Sequence, residues 1–270
     1  MPVISNVMDN KTFKLVFIGA GNVAFSLAKR CKEVGHEISQ IYARNPIQAN
    51  EFAEVFKVDI ATKLSDITRT ADFYFLCVND DAINVLSKKL AEVLPNTSII
   101  LHTSGSRGVN EIDAYFLHRI NFYPLQTFLK YKNQNWDTIP LFIEANSIDF
   151  EKHKLFFDTI CKKVIQINND IRIAIHVAAV FVNNFTNSNM IIAQDILAKA
   201  GLTLEVLYPL INNTFNGVLT TNPLETQTGP AKRNDTQTIN LHKEYIEENC
   251  SEILKIYDDY TKFILERFYP

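Results

Sequence analysis

Two glycines and an alanine near the start of the chain have the spacing of a phosphate-binding turn. Gly19, Gly21 and Ala24 form the pattern G-x-G-x-x-A between the apolar run Lys14–Ile18 and a helical pattern over 23–34. The first glycine permits a tight turn, the second lets the backbone approach a pyrophosphate, and the small third residue lets helix and strand pack closely. The pattern therefore indicates a turn that can hold a dinucleotide.

The start of the helix after this turn would face the anion. The backbone N–H groups of Asn22 and Val23 have no partner inside the helix, and the helix dipole favours negative charge beside them. A strand, a glycine turn and a helix at the start of an alternating α/β chain make dinucleotide binding the favoured interpretation. An ordinary glycine-rich turn is the alternative.

The second predicted strand, Ile38–Ala43, ends beside a basic residue. A site for NAD would place Asp or Glu here to bind the ribose 2′-hydroxyl, but residues 41–45 contain Arg44 and no acid. A guanidinium fits a 2′-phosphate through two hydrogen bonds. We therefore predict NADP(H) as the cofactor, with a solvated surface arginine as the alternative.

Polar residues follow the next predicted strands, at the edge where open α/β sheets bind ligands. Val78 and Asn79 would lie near the nicotinamide ribose, and Asp80 is expected to cap the helix that follows. Ser104 comes directly after the strand 99–102, so it is a candidate for contact with the nicotinamide or a polar substrate. For the segment that contains Ser104, a plain loop is the alternative.

A predicted helix over 170–200 carries polar side chains on one face. His176, Val180, Asn183 and Asn187 fall at helical spacing. A histidine and amides on an apolar stripe are costly to bury without partners, so this face is a candidate cleft wall. His176 can exchange a proton near neutral pH, and Asn183 would orient a substrate. A helix face whose polar groups bond to neighbouring loops is equally compatible with the pattern.

The turn-rich segment 221–235 precedes a predicted helix and holds further candidates. Asp235 has the position of an N-cap. Arg233 and His242, on either side of it, could bind a carboxylate of the substrate. A rigid loop capped by Asp235 is the alternative.

These candidates need a scaffold that brings the ends of strands together. From 14 to about 144, short apolar runs alternate with helical patterns, which predicts an α/β, Rossmann-like parallel sheet with right-handed crossovers. The second half is mostly helical, apart from a possible strand at Val164–Ile167. We therefore predict a dinucleotide-binding domain over 1–148 and a helical substrate and dimerisation domain over 149–270.

Composition excludes several classes of protein. The chain has 270 residues, 47% of them apolar, and a formal net charge of −3. These values exclude wholesale disorder and argue against a nucleic-acid partner. The four scattered cysteines form no C-x-x-C and no Cys/His cluster with metal-ligand spacing, so we expect reduced, buried thiols and no metal. Residues 1–13 have no secretory pattern, and no apolar run could span a bilayer, so a cytoplasmic protein without a membrane partner is expected.

Several segments together resemble a poorly characterised family of NADP oxidoreductases with a Rossmann-like half and a helical C-terminal domain of unknown function. They are FIGAGNVA, the arginine after the second strand, CVNDDAI, HTSGS, YPLQTF, HVAAVFVNNF and TGPAKRNDTQTINLH. The plan of this family is similar to that of pyrroline-carboxylate reductases and 3-hydroxyacid dehydrogenases. The resemblance implies NADP(H), hydride transfer to or from a small carbonyl, imine or hydroxyl carbon, and a homodimer.

Two positions depart from these relatives. If Asn183 and Asn184 match the asparagines of the hydroxyacid dehydrogenases, Val180 stands where their catalytic lysine would be, and His176 is the expected substitute. Tyr123 stands where the family usually has the histidine of H-P-L-Q-T-F, so it must replace that histidine if the histidine is essential. The alternative functions are a non-catalytic NADP(H) sensor or scaffold and, since the first half also resembles such enzymes, a deazaflavin-dependent NADP reductase.

Overall fold

The computed structural model describes residues 11–270; residues 1–10, most of the segment searched for a secretory pattern, lie outside the described part. One sheet has the strand order β3-β2-β1-β4-β5-β6-β7-β8. Strands β1 to β6 are parallel, whereas β7 runs antiparallel to β6 and parallel to β8. The predicted Rossmann-like sheet is confirmed. Its strands are β1 Lys14–Ile18, β2 Glu37–Tyr42, β3 Asp59–Ala61, β4 Phe73–Leu76, β5 Ile99–His102, β6 His118–Pro124, β7 Pro140–Glu144 and β8 Lys163–Gln166.

Helices fill the crossovers and the second half of the chain. The α2 helix begins at Pro46, because the Asn45 side chain caps it by accepting a hydrogen bond from the N–H of Ile47 at 3.0 Å. The cap predicted for α3 is wrong: Asn79 is the N-cap, and Asp80 is the first helical residue. The helices are α1 Asn22–Glu33, α2 Pro46–Phe56, α3 Asp80–Ala91, α4 Ser147–Ile160, α5 Asn169–Ala179, α6 Thr186–Lys199, α7 Tyr208–Thr220, α8 Pro223–Thr226, α9 Thr236–Asn249 and α10 Leu254–Phe268.

The single helix predicted over 170–200 is wrong in its middle. A π-helical turn occupies Val180–Phe185, between α5 and α6. Each turn of a π-helix holds more residues than an α-helical turn, so the spacing that placed His176 and Asn183 on one face does not apply through this segment. The predicted end of the segment is confirmed, since Gly201 follows α6 with a φ of +72°.

Apolar layers cover both faces of the sheet. Alternate residues of β1 point to opposite faces: Leu15 and Phe17 join one buried cluster, whereas Val16 and Ile18 join the other. Both faces are therefore apolar, as expected for parallel strands covered by helices on each side. This packing holds the carboxyl ends of the central strands at fixed positions, and the candidate nucleotide-binding residues lie there.

The chain divides into two compact units, one ending at Ala179 and the other covering Val180–Pro270. The boundary predicted between residues 148 and 149 falls inside the first unit, and the functional division into two domains stays a prediction. The second unit is helical and buries few large apolar side chains. In residues 11–270, all four cysteines are buried and free, as predicted, and none of the helices is long and apolar enough to cross a membrane.

Candidate active site

Gly19 holds the first turn at a position where a side chain would collide with the backbone. Its φ is +106°, and a Cβ atom there would lie 2.1 Å from the carbonyl oxygen of Cys77 and 3.0 Å from Cγ1 of Val78. Its N–H donates to the carbonyl of Tyr42 at 2.7 Å. The turn after β1 is therefore pressed between the ends of β2 and β4, where a doubly wound sheet binds its ligand.

Gly21 leaves the start of α1 open to a ligand. A Cβ built on Gly21 meets no atom of residues 11–270 within 4 Å. Gly21 is the N-cap, and within residues 11–270 its helix start has neither a side-chain cap nor an acidic residue in its first turn. The N–H groups of Asn22 and Val23 remain available for an anion, while Ala24 is fully buried against the sheet. The geometry fits a pyrophosphate.

Arg44 lies two residues beyond the end of β2 and is exposed. Its guanidinium has no hydrogen-bond or ion-pair partner among the residues that the structure describes. An arginine at this edge with all its donors free has the charge and shape for a 2′-phosphate. Val78 and Asn79 follow β4, which lies on the other side of β1 from β2, so the predicted nucleotide-binding residues share one edge of the sheet.

A buried histidine organises the loop after β5. His102 Nε2 lies 3.1 Å from the carbonyl of Gly108, which only accepts, so Nε2 carries the proton. Its Nδ1 accepts from the N–H of Ser104 at 3.3 Å and from Nδ2 of Asn121 at 3.2 Å. Burial lowers the pKa of His102 to about 4, so the ring is neutral at pH 7. This histidine shapes the loop.

Ser104 has its hydroxyl turned into the same loop. Its Oγ accepts from the N–H of Ser106 at 3.2 Å and from the N–H of Arg107 at 3.0 Å. The Ser106 hydroxyl donates to the carboxylate of Asp80, which ties the loop to α3. The contacts of Ser104 are those of a residue that builds the loop, and its predicted catalytic role stays a prediction.

A buried arginine, which the sequence analysis missed, anchors the loop from α5. Arg172 is 1% exposed. Its Nε donates to Oε2 of Glu144 at 2.9 Å, Nη1 to the carbonyl of Gly105 at 2.5 Å, and Nη2 to Oδ1 of Asn169 at 2.7 Å. A charge inside an apolar helix and an acid ending an apolar strand are a signal for such a pair, because buried charges need partners.

Tyr123 and His176 meet directly above Gly105. Tyr123 Oη lies 3.3 Å from Nδ1 of His176, and the rings pack edge to face. A Cβ on Gly105 would lie 2.6 Å from that Nδ1 and 2.7 Å from the tyrosine ring, so the glycine makes room for the pair. Tyr123 is 8% exposed, and burial raises its pKa, which keeps its hydroxyl protonated. The pair places an exchangeable proton at the edge that holds the nucleotide turn.

The remaining predicted residues lie in the second unit. Asp235 caps α9 by accepting from the N–H of Thr238 at 3.1 Å, as predicted. This bond lowers the pKa of Asp235, and the charges of Arg233 and His242 lower it further. His242 is exposed, with Nδ1 2.9 Å from Oη of Tyr257.

Asn183 is exposed in the π-helical turn. Because Asn183, Arg233 and His242 belong to the second unit, their part in the site stays a prediction.

Known families and structures resemble this chain over both of its halves. Residues 14–105 match the family described as NADP oxidoreductase, coenzyme F420-dependent, and residues 139–264 match a domain of unknown function, DUF2520. The structure named putative NADP oxidoreductase BF3122 from Bacteroides fragilis is 32% identical with a TM-score of 0.87, over 95% of this chain and 99% of that chain. This chain belongs to the same family of NADP oxidoreductases as the Bacteroides fragilis protein. The predicted family resemblance and the predicted cofactor NADP(H) are confirmed.

More distant structures share the fold of this NADP oxidoreductase. Protein TM1727 from Thermotoga maritima is 22% identical with a TM-score of 0.72, over 94% of this chain and 98% of that chain. An imine reductase from Myxococcus stipitatus, solved with NADP+, is 15% identical with a TM-score of 0.70, over 95% of this chain and its whole length. No curated protein matches the sequence.

Proposed function

We propose that this oxidoreductase transfers a hydride between NADP(H) and a small carbonyl, imine or hydroxyl carbon. The observation that carries the proposal is the contact between Tyr123 and His176 at the edge of the sheet that holds the Gly19 turn. A nucleotide site with a proton donor beside it is what a carbonyl or imine reduction requires, because each hydride added must be balanced by a proton.

The nucleotide would be held by the backbone around Gly19 and Gly21, with the N–H groups of Asn22 and Val23 on the pyrophosphate. The guanidinium of Arg44 would bind the 2′-phosphate. Val78 and Asn79 would border the ribose of the nicotinamide. When bound, NADP(H) supplies the hydride, and the protein supplies position and a proton.

His176 is the proposed proton donor, and Tyr123 orients its ring through the hydrogen bond to Nδ1. This bond leaves Nε2 of His176 as the atom that can exchange a proton with a substrate. The roles predicted for Asn183, in orienting the substrate, and for Arg233 and His242, in binding an acidic group, stay predictions. Ser104 contributes the shape of the loop beneath.

The proposal is tested by following NADPH oxidation with a panel of small ketones, aldehydes and cyclic imines. At least one compound should turn over. His176→Ala should lower kcat roughly 100-fold or more, the usual contribution of a general acid. Tyr123→Phe, which keeps the ring and removes the hydroxyl, should lower kcat about 10-fold, because only the orientation of His176 is lost. Both variants should bind NADPH normally in a calorimetric titration.

A non-catalytic NADP(H) sensor or scaffold is the second candidate. The observation that favours it is Tyr123, which replaces the histidine usual in the family at this position. A sensor would bind NADPH tightly, oxidise it with no compound of the panel, and behave identically after His176→Ala. Turnover of one compound that slows with this substitution would exclude the sensor.

We also propose that the chain is a homodimer in the cytoplasm. Large apolar side chains of the second unit are more than half exposed, among them Phe181, Val182, Leu210, Leu219 and Phe263, and such surfaces mark association sites. The free thiols fit a reducing compartment. Light scattering at micromolar concentration should give twice the chain mass of 30.8 kDa. A monomeric mass would contradict the dimer.

A further inference from the structure

Three potential metal ligands converge at the edge of the sheet opposite the nucleotide turn. His118 is the first residue of β6, and Asp149 and His153 lie one turn apart on α4. A ring nitrogen of each histidine and a carboxylate oxygen of the aspartate all lie within 4.8 Å of one another. The set comes from two elements of the fold, so the spacing of Cys and His residues along the chain does not reveal it.

The carboxylate of this cluster is already oriented by hydrogen bonds. Oδ1 of Asp149 lies 2.6 Å from Nδ1 of His118. Its other oxygen accepts from Nδ2 of Asn146 at 2.8 Å, and Oδ1 of Asn146 accepts from the N–H of Asp149. Asn146 is the N-cap of α4, so the start of the helix fixes this carboxylate. A second layer of hydrogen bonds of this kind supports the ligands of protein metal sites.

His153 has a buried nitrogen with no hydrogen-bond partner. The residue is 7% exposed, and Nε2 is unpaired within residues 11–270. Its ring packs edge to face on Phe73 with 5.3 Å between centroids. An unpaired buried nitrogen in a native structure calls for an explanation, and a bound ion is one.

The geometry points to a site for a divalent transition metal of the zinc class, bound by His118, Asp149 and His153. Two imidazoles and one carboxylate form a ligand set that Zn²⁺ accepts, with a fourth position left for water. Zinc–ligand bonds of about 2 Å put tetrahedral ligands about 3.4 Å apart, so rotation of the side chains can close the cluster. The side chain of His118 is 23% exposed, which gives the ion a route in.

This site is separate from the proposed hydride-transfer site. His118 and Tyr123 stand at opposite ends of β6, about 17 Å apart at the usual rise of a strand. A metal here would join α4 to β6 without touching the nucleotide, so we expect a stabilising role.

The test is a titration of the chelator-treated, full-length protein with ZnCl₂ and CoCl₂. We expect one metal per chain by calorimetry, visible absorption bands of protein-bound Co²⁺, and a rise in Tm of about 5 °C at a hundredfold excess over the Kd. NADP+ binding should be the same with and without zinc. The metal site and the hydride-transfer proposal can therefore fail independently.

Matched variants decide whether the named residues bind the metal. His153→Phe keeps the packing on Phe73 and removes a ligand, and Asp149→Asn keeps the volume and removes the charge. Each should fold, bind NADP+ normally, and lose both the cobalt bands and the zinc-induced rise in Tm. His242→Ala, at an exposed histidine elsewhere, should retain both. Absence of metal binding in the natural protein, or undiminished binding in both cluster variants, would overturn the proposal.

Discussion

The two edges of the sheet both carry histidines, but they are built from different kinds of sequence. At the carboxyl edge, short segments directly after the strands supply the site, from the Gly19 turn to the loop of Ser104. At the amino edge, single side chains of β6 and α4 meet, and Nε2 of His153 has no hydrogen-bond partner in the described part of the chain. Local backbone conformation defines the nucleotide turn at the first edge, whereas convergence of distant residues defines the cluster at the second.

This difference explains how a ligand is recognised at each place. A pyrophosphate needs free N–H groups and room for the backbone, which glycines supply within a few residues. A metal needs lone pairs that converge in three dimensions, and distant residues can supply them. The carboxyl edge should therefore respond most to changes in backbone conformation, and the amino edge to loss of single side-chain nitrogens or oxygens.

The largest effect is expected from Gly19→Ala compared with Gly35→Ala. Both glycines have positive φ, but only at Gly19 would the added Cβ meet backbone, 2.1 Å from the oxygen of Cys77. Gly19→Ala should weaken NADP+ binding more than about 100-fold and cost about 3 kcal/mol of unfolding free energy. Gly35→Ala should cost about 1 kcal/mol and bind NADP+ normally. Equal effects of the two substitutions on NADP+ binding and on the unfolding free energy would contradict a special role for the backbone at Gly19.

The carboxyl edge was predictable to the extent that its signals are local. Gly19, Gly21 and Arg44 follow directly from their positions after strands. The contact between Tyr123 and His176 joins residues far apart in sequence, so no spacing reveals it. The π-helical turn was not predicted because an apolar run with helical periodicity is compatible with both α-helical and π-helical turns.

The other features that the sequence did not predict depend mainly on buried polar groups. Arg172 and Glu144 are paired only because β7 and α5 adjoin in the fold. The cluster at the amino edge depends in the same way on α4 lying beside the start of β6. Asp80 was predicted as a cap from residue type alone, although Asn79 before it was equally suitable.

The next largest effect concerns the pH dependence of stability. His102 has a folded-state pKa of about 4, below the 6.5 of an ordinary histidine, because it is buried. Between these values the unfolded chain binds more protons, so stability is full above pH 6.5 and is lost as the pH falls towards 4. The loss amounts to about 3 kcal/mol for this residue. Burial lowers the pKa of His153 to about 4 too, so the two histidines lose their contributions to stability over the same pH range.

Urea unfolding at pH 7 and pH 4.5 separates the two contributions. His102→Gln, which cannot titrate, should flatten the pH dependence by up to about one proton relative to the natural protein. His153→Phe should flatten it by a similar amount in metal-free protein. An unchanged slope in either variant would show that its histidine does not stay neutral in the folded state.

A smaller effect is expected from Arg44→Asp. Loss of a charge-assisted contact to the 2′-phosphate should weaken NADPH binding roughly 10- to 100-fold and NADH binding much less. Arg69→Asp, at an exposed arginine shortly before β4 and so at the amino edge, is the matched control and should change neither affinity. Equal losses for NADPH and NADH after Arg44→Asp would remove Arg44 from the 2′-phosphate site.

The smallest effect is expected for the change in unfolding free energy that His153→Phe causes in metal-free protein at pH 7. The ring contact with Phe73 is kept and an unpaired nitrogen is removed, so the unfolding free energy should change by less than about 1 kcal/mol. Urea unfolding in the presence of a chelator measures it. A loss of several kcal/mol would show that His153 makes a stabilising interaction without metal. That result would contradict an unpaired ring nitrogen at the amino edge.

A crystal structure with NADP+ would show where the nucleotide binds. We expect the pyrophosphate against the N–H groups of Asn22 and Val23, the 2′-phosphate on Arg44, and the nicotinamide facing the pair of Tyr123 and His176. A nucleotide bound elsewhere on the protein, or bound at the turn with its nicotinamide away from that pair, would contradict this expectation.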